Sequence, residues 1–315
     1  MSSLSLQLKN RIGLLLVLFV FPIFGSVACD ICGCGAGNLY FGVVPMSERN
    51  HIALRYRSLN YDSHLYPNDL YESLFKTTEQ FQIVEALARF QVSPRWQISA
   101  FVPYVFAQQK RNGASFHTSG LADVLVQAQY RILQTDILHP EWDWKHQLFL
   151  GAGLKAPTGK WKFGSEENGS VENPNFQPGT GSFDGLVTIQ YSVRYKDFGL
   201  QSDAQYRFNG VNKDDYRFGK RFTSNLNFFY LIGKKPNFRV MPIIGLYGET
   251  SARNLKHDLD VPHTGGQLWM ANAGLQVFVK KVGLMAQHQV PISQNLSDHH
   301  QLAKSRWLFQ IGIGF

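Results

Sequence analysis

Val187-Thr188-Ile189-Gln190-Tyr191-Ser192-Val193-Arg194-Tyr195 alternates without a break between apolar or aromatic and polar residues. A β-strand throws successive side chains to opposite faces, so this stretch has one apolar face and one polar face. A helix would scatter the same residues around its axis. The next segment repeats the pattern, with Leu200, Ala204, Tyr206 and Phe208 opposing Gln201, Asp203, Gln205 and Arg207. In a soluble sandwich the apolar face would look into a core. In a membrane barrel it looks at lipid, and the polar face looks into a wet lumen.

Working outward from this pair, the alternation predicts about twelve strands, with boundaries uncertain by 2–4 residues. They fall near 51–61, 79–92, 95–108, 119–133, 145–157, 183–195, 198–209, 217–232, 237–249, 266–280, 282–290 and 305–315. Many reach about ten residues, the length of a tilted membrane strand rather than of a globular one. The links alternate in length. Ser93-Pro94, Lys196-Asp197, Gly233 to Pro236 and Lys281 are tight, whereas the first, third, fifth, ninth and eleventh links read as long and polar. Short turns at one end and long loops at the other are the habit of outer-membrane barrels. Two links depart from it: Gln134 to Trp144 is long where a short turn is expected, and Gly210 to Tyr216 is middling. The expected fold is therefore all-β, a transmembrane antiparallel up-and-down β-barrel.

The ends of the chain support the same class. Lys9 and Arg11 precede an apolar run from Ile12 to Phe24, and Ser26-Val27-Ala28 fits a small-x-small cleavage site. The run is shorter than the roughly 20 apolar residues a spanning helix needs. The expected organisation is a signal peptide over 1–28, a Cys-rich periplasmic segment over 29–50 and the barrel over 51–315. At the other end Trp307, Phe309, Ile311, Ile313 and Phe315 alternate up to a terminal aromatic. This resembles the insertion signal that outer-membrane proteins present to the barrel-assembly machinery. The formal charge of +8 is spread along the chain, and 14% of residues are aromatic. Nucleic-acid binding would call for a basic cluster on one element, and none is present. The expected partners are outer-membrane lipid, the assembly machinery and a small-molecule or ion substrate.

Several phrases carry a family resemblance: Gly120-Leu121-Ala122-Asp123, Leu150 to Gly159, Gln177-Pro178-Gly179-Thr180-Gly181-Ser182-Phe183-Asp184, and Pro291 to Leu296. Over roughly residues 40 to 315 the chain resembles an outer-membrane family named for the phenol meta-pathway, the MetA type. The Cys29-to-Gly35 opening looks like a branch whose mature chain begins with clustered cysteines. The resemblance implies an outer-membrane barrel and transport of a small solute, and it names no substrate. Read from the residues alone, Gln177, Pro178, Gly179, Thr180, Gly181 and Ser182 form either a tight turn into the sixth strand or a loop folded into the mouth as a constriction. Gly and Pro punctuate turns generally, which favours the turn.

If the apolar set faces lipid, the lumen holds Arg55, Arg57, Arg89, Arg131, Lys155, Arg194, Arg207 and Arg239 against Glu85, Asp123, Asp203 and Glu249. Bases outnumber acids. Basic rings favour anions in pores, and a packed salt-bridge network is the alternative. No Gly-x-Ser-x-Gly elbow is present, so a barrel-embedded hydrolase ranks third among functions and no enzyme activity is expected. His257 and His263 with Asp258 and Asp260, and His299 and His300 with Asp298, read as solvated loop residues rather than metal ligands. Cys29, Cys32 and Cys34 admit three readings: a Cu(I) or Zn site, a Cys29–Cys32 disulfide with a spare thiol, or a lipid-modified Cys29. A metal-handling barrel anchoring this cluster is thus the second functional reading.

Overall fold

A computed structural model describes residues 50–64, 76–111, 113–138, 141–161, 174–233 and 238–315. Its main sheet contains twelve barrel strands, each antiparallel to its neighbours. They are β1 (His51–His64), β2 (Lys76–Gln91), β3 (Trp96–Arg111), β4 in two pieces (Ala114–Leu121 and Val124–Gln134), β5 (Trp144–Ala156), β6 (Asp184–Tyr195), β7 (Phe198–Asn209), β8 (Arg221–Tyr230), β9 (Phe238–Ser251), β10 (Gly266–Val279), β11 (Val282–Leu296) and β12, also in two pieces (Gln301–Ala303 and Arg306–Gly314). Pairing of β1 with β12, from His51↔Gly314 to Ser58↔Trp307, closes the barrel. Closure leaves no long sheet edge, the condition for a sheet to cross lipid. Among the described residues no helix is long and apolar enough to cross a membrane.

In β6 the alternation sorts in part: Val187 is exposed and Thr188 buried, whereas Val193, on the apolar phase, is also buried; the last strand sorts fully. In β12, Arg306, Leu308 and Gln310 are buried, whereas Trp307, Phe309, Ile311 and Ile313 are exposed. Aromatic residues gather in two outward girdles. At the short-turn end lie the ring pairs Trp96–Tyr130, Trp144–Tyr195 and Phe198–Tyr230, with centroids 5.0, 4.8 and 4.6 Å apart. Toward the long-loop end lie Tyr56–Phe309, Tyr104–Phe106 and Tyr206–Phe208, at 6.4, 4.9 and 4.7 Å. Two aromatic girdles bounding an apolar band are the outer signature of a transmembrane barrel.

The turns at one end are short. The links β6–β7 and β10–β11 are two-residue hairpins that open on Lys196 (φ 53°) and Lys280 (φ 53°), the left-handed geometry that matches strand twist. At the other end two links read as long are short. β3 runs to Arg111 and β4 starts at Ala114; β11 runs to Leu296 and β12 starts at Gln301. The residues assigned to loops continue the ladder, as in Gln109↔Phe116 and Trp269↔Ser293. A strand that rises past the bilayer keeps its hydrogen bonds while its outer face meets water, so polarity does not mark its end. The long fourth link is confirmed and holds a helical turn at Thr135–Leu138. Above the mouth, short strands at Tyr216–Arg217, Leu255–Lys256 and Leu259–Asp260 pair into a small cap.

Candidate functional site: the barrel lumen

Inward side chains of several strands build one charged network. Arg55 on β1 donates from Nε to Glu85 Oε2 at 2.9 Å, and its Nη2 contacts the same oxygen. The two residues face each other across the β1–β2 ladder, so the pair follows from register. Arg57 lies two residues further along the same face and reaches Glu85 Oε1 only at 3.6 Å. Arg306 on β12 donates from Nη2 to the Tyr61 hydroxyl at 2.9 Å. Its guanidinium carbon lies 5.8 Å from the Tyr61 ring centroid and 5.7 Å from that of Tyr247 on β9. Tyr247 donates to Glu249, and Glu249 pairs with Arg221 on β8 at 3.3 Å. The chain of contacts from β1 through β12 to β9 and β8 links strands that are not all neighbours in the sheet, so it reaches across the interior.

A second cluster anchors the longest loop. Lys155 Nζ lies 2.6 Å from Asp123 Oδ2 and 2.6 Å from Asp184 Oδ2, with all three side chains essentially inaccessible. Asp123 sits in the break between the two pieces of β4. The break lets its carboxylate accept from Gly159 N and Thr180 N, both at 3.0 Å, and from Thr180 Oγ1 at 2.7 Å. Ser182 Oγ donates to Asp184 Oδ1 at 2.8 Å. Gly179 is required by close approach, because a Cβ there would lie 2.6 Å from the Gly159 carbonyl carbon. Gly181 has φ +71°, a conformation other residues rarely adopt. The Gln177–Ser182 segment is therefore both a turn into β6 and an inward-packed element. Just before it, Phe176 packs on the buried cluster of Leu59, Tyr61, Phe81, Ile83, Val105, Tyr247, Leu268, Met270 and Leu296, with its ring 6.1 Å from Phe81.

Below this level the lining mixes neutral polar side chains with Arg89, Arg131 and Arg239 and with apolar groups such as Leu87, Phe101 and Leu125. Among the described residues, buried side-chain atoms of Gln127, Thr188, Gln201, Gln205, Asn227, Asn272, Gln276 and Gln287 have no hydrogen-bond partner. Buried polar groups in native proteins are almost always satisfied, so these atoms call for water. Beside them Phe229, Met241, Ile243, Met285 and Leu308 form a separate apolar cluster.

The expected lumen residues are distributed unevenly. Arg55, Arg57, Arg89, Glu85, Asp123, Arg131, Lys155, Arg207 and Glu249 are buried, and Asp203 accepts from Asn225 Nδ2 at 2.9 Å. Arg131 lies over the Phe149 ring and Arg239 over that of Phe278. Arg194 instead bonds the Lys196 carbonyl at the hairpin turn. Sequence reasoning missed Arg221, Arg306, Asp184 and Glu79, which share the inward phase of polar neighbours such as Thr223, Gln310 and Thr188. It also missed Tyr61, Tyr247 and Phe176, which no polar periodicity marks. His263 and His257 approach Asp298 and Asp215, each at 3.4 Å, and the described residues contain no group of three or more metal ligands. The expected signal peptide over 1–28, the expected Cys-rich segment and its Cys29, Cys32 and Cys34 lie outside the described residues.

The family model "Putative MetA-pathway of phenol degradation" matches residues 77–295. The crystal structure of an outer membrane channel from Pseudomonas putida F1 superposes with a TM-score of 0.58 at 15% identity, covering 87% of this chain and 100% of that one. The β-domain of the Bordetella autotransporter Brka superposes with a TM-score of 0.52 at 11% identity, covering 85% of this chain and 100% of that one. At these identities the likeness is one of fold. No match was found among curated proteins.

Proposed function

The chain belongs to the phenol-degradation MetA-pathway family, and from that premise we propose that it is an outer-membrane channel that passes small solutes and prefers anions. The observation that carries this reading is the unmet polar lining. A barrel filled by its own side chains would pair its amides internally, whereas these amides need water, and a wet lumen is a path for solutes. The preference for anions rests on the excess of inward arginine and lysine over inward carboxylates. No step of this function needs a catalytic group. Single-channel recording of the refolded barrel in a salt gradient is expected to show an anion-selective reversal potential. Cation selectivity would remove the anion preference, and silence across many insertions would remove the channel.

The segment from Pro174 to Ser182 acts as the constriction. It is tied down by Asp123 and seats Phe176 on the apolar layer inside the mouth. Phe176→Ala is expected to raise single-channel conductance by about twofold or more without changing its sign of selectivity. Unchanged conductance would place the narrowest point elsewhere.

The last strand serves insertion. Trp307, Phe309, Ile311, Ile313 and Phe315 all lie exposed on the outer face, and β12 is the strand that closes the barrel. Deleting Phe315 is expected to lower the folded outer-membrane fraction several-fold, read by heat-modifiable migration on gels. Normal levels would show that the terminal aromatic is not what the assembly machinery reads.

A further inference from the structure

We propose that Arg57 and Arg306 form a binding site inside the lumen for the carboxylate of a small amphiphilic organic anion. The proposal deepens the channel reading and rests on it. Both residues are more than nine-tenths buried, at 8% and 6% exposure, on the paired strands β1 and β12. Their demand for acceptors exceeds what the described residues supply. Glu85 is engaged by Arg55 through two guanidinium nitrogens and leaves Arg57 a single contact at 3.6 Å. Among the described residues, Nε and Nη2 of Arg57, and Nε of Arg306, have no hydrogen-bond acceptor. The next acid, Glu249, takes the Tyr247 hydroxyl and pairs with Arg221. Water can meet a donor, but it does not neutralise the surplus positive charge.

The geometry points to a carboxylate attached to an apolar body. A guanidinium presents a rigid fork of donors that a carboxylate matches with two parallel bonds. Arg306 is held in place by its bond to Tyr61 and by the ring faces of Tyr61 and Tyr247, so one fork is oriented before any ligand arrives. Beside the two arginines toward the long-loop end lie Leu59, Ile83, Leu268 and Met270, members of the buried apolar cluster on which Phe176 rests. A bare inorganic ion would leave that cluster to Phe176. A ring or short alkyl chain carrying a carboxylate engages the charge and takes the place of the Phe176 ring on the apolar layer.

Equilibrium dialysis of the full-length chain in detergent micelles tests this without requiring conduction. The probes are radiolabelled benzoate and its uncharged isostere benzamide. Benzoate is expected to bind at least tenfold tighter than benzamide. Arg57→Gln and Arg306→Gln should each weaken benzoate at least tenfold, and Arg57→Lys should fall between. Lys281→Gln, at an exposed turn on the opposite end, should match the unaltered chain. Heat-modifiable gel migration confirms that each variant is folded before its binding is scored. Equal binding of benzoate and benzamide would overturn the proposal, as would undiminished benzoate binding by folded Arg57→Gln and Arg306→Gln. Displacement of benzoate by equimolar inorganic phosphate would overturn the organic part. Benzoate binding by a barrel that carries no current would support the site while refuting the channel.

Discussion

Lys155→Met is expected to destabilise the barrel by about 3–5 kcal/mol, the usual consequence of removing one partner from a buried ion pair. The ammonium lies 2.6 Å from both Asp123 and Asp184, and all three side chains are cut off from solvent. Methionine fills the volume but leaves two buried carboxylates facing each other. The damage should also reach the loop, because Asp123 holds Gly159 and Thr180 by their backbone amides. Denaturant unfolding in micelles should show a lowered midpoint, and bilayers should show raised or noisy conductance. A triple variant, Lys155→Met with Asp123→Asn and Asp184→Asn, removes the charges together and should recover part of the loss. A midpoint unmoved by Lys155→Met would mean that water reaches the cluster in solution.

The second large effect lies on the outer wall. Ile244, near the middle of β9, is 65% exposed on the face opposite Met241, Ile243 and Tyr247. Ile244→Arg is expected to cost about 2–4 kcal/mol, the penalty of an arginine at the bilayer midplane. Gln190→Arg on β6 puts the same charge on the inner face, opposite Asp203 in the ladder. It should cost less than about 1 kcal/mol, since the group stays in a polar lumen near an acid. Unfolding of both variants from lipid vesicles checks the contrast. Equal losses would mean that the two faces see the same surroundings and that the outer face is not in lipid.

The barrel was legible because a membrane strand must show one polarity to lipid and another to its lumen. Val187 to Tyr195 records that requirement directly, and so do Trp307 to Phe315. The alternation becomes misleading where a strand leaves the bilayer. In β1 the apolar positions Ile52, Leu54 and Tyr56 face outward, but Leu59 and Tyr61 face inward; in β2, Phe81 and Ile83 are buried while Val84, Ala86 and Ala88 take the opposite phase. Above the membrane the outer face meets water and the inner face packs, so the pattern inverts with no change in backbone. That inversion hid the apolar layer inside the mouth and led to strand tips being read as loops at 109–111, 114–118, 291–296 and 301–303.

What the sequence by itself determined is the class of fold, the strand count and the inward phase of Arg55, Glu85, Lys155 and Arg207, because period-two alternation and turn chemistry act between residues close in the chain. What only the tertiary structure decided is which of these groups meet. Arg306 lies between Tyr61 and Tyr247, which are 245 and 59 residues away in the chain, and Thr180 reaches Asp123 across 57 residues. Such contacts depend on barrel closure and on the stagger of the strands. Closure is a property of all the strands together, so no local stretch of sequence can encode it.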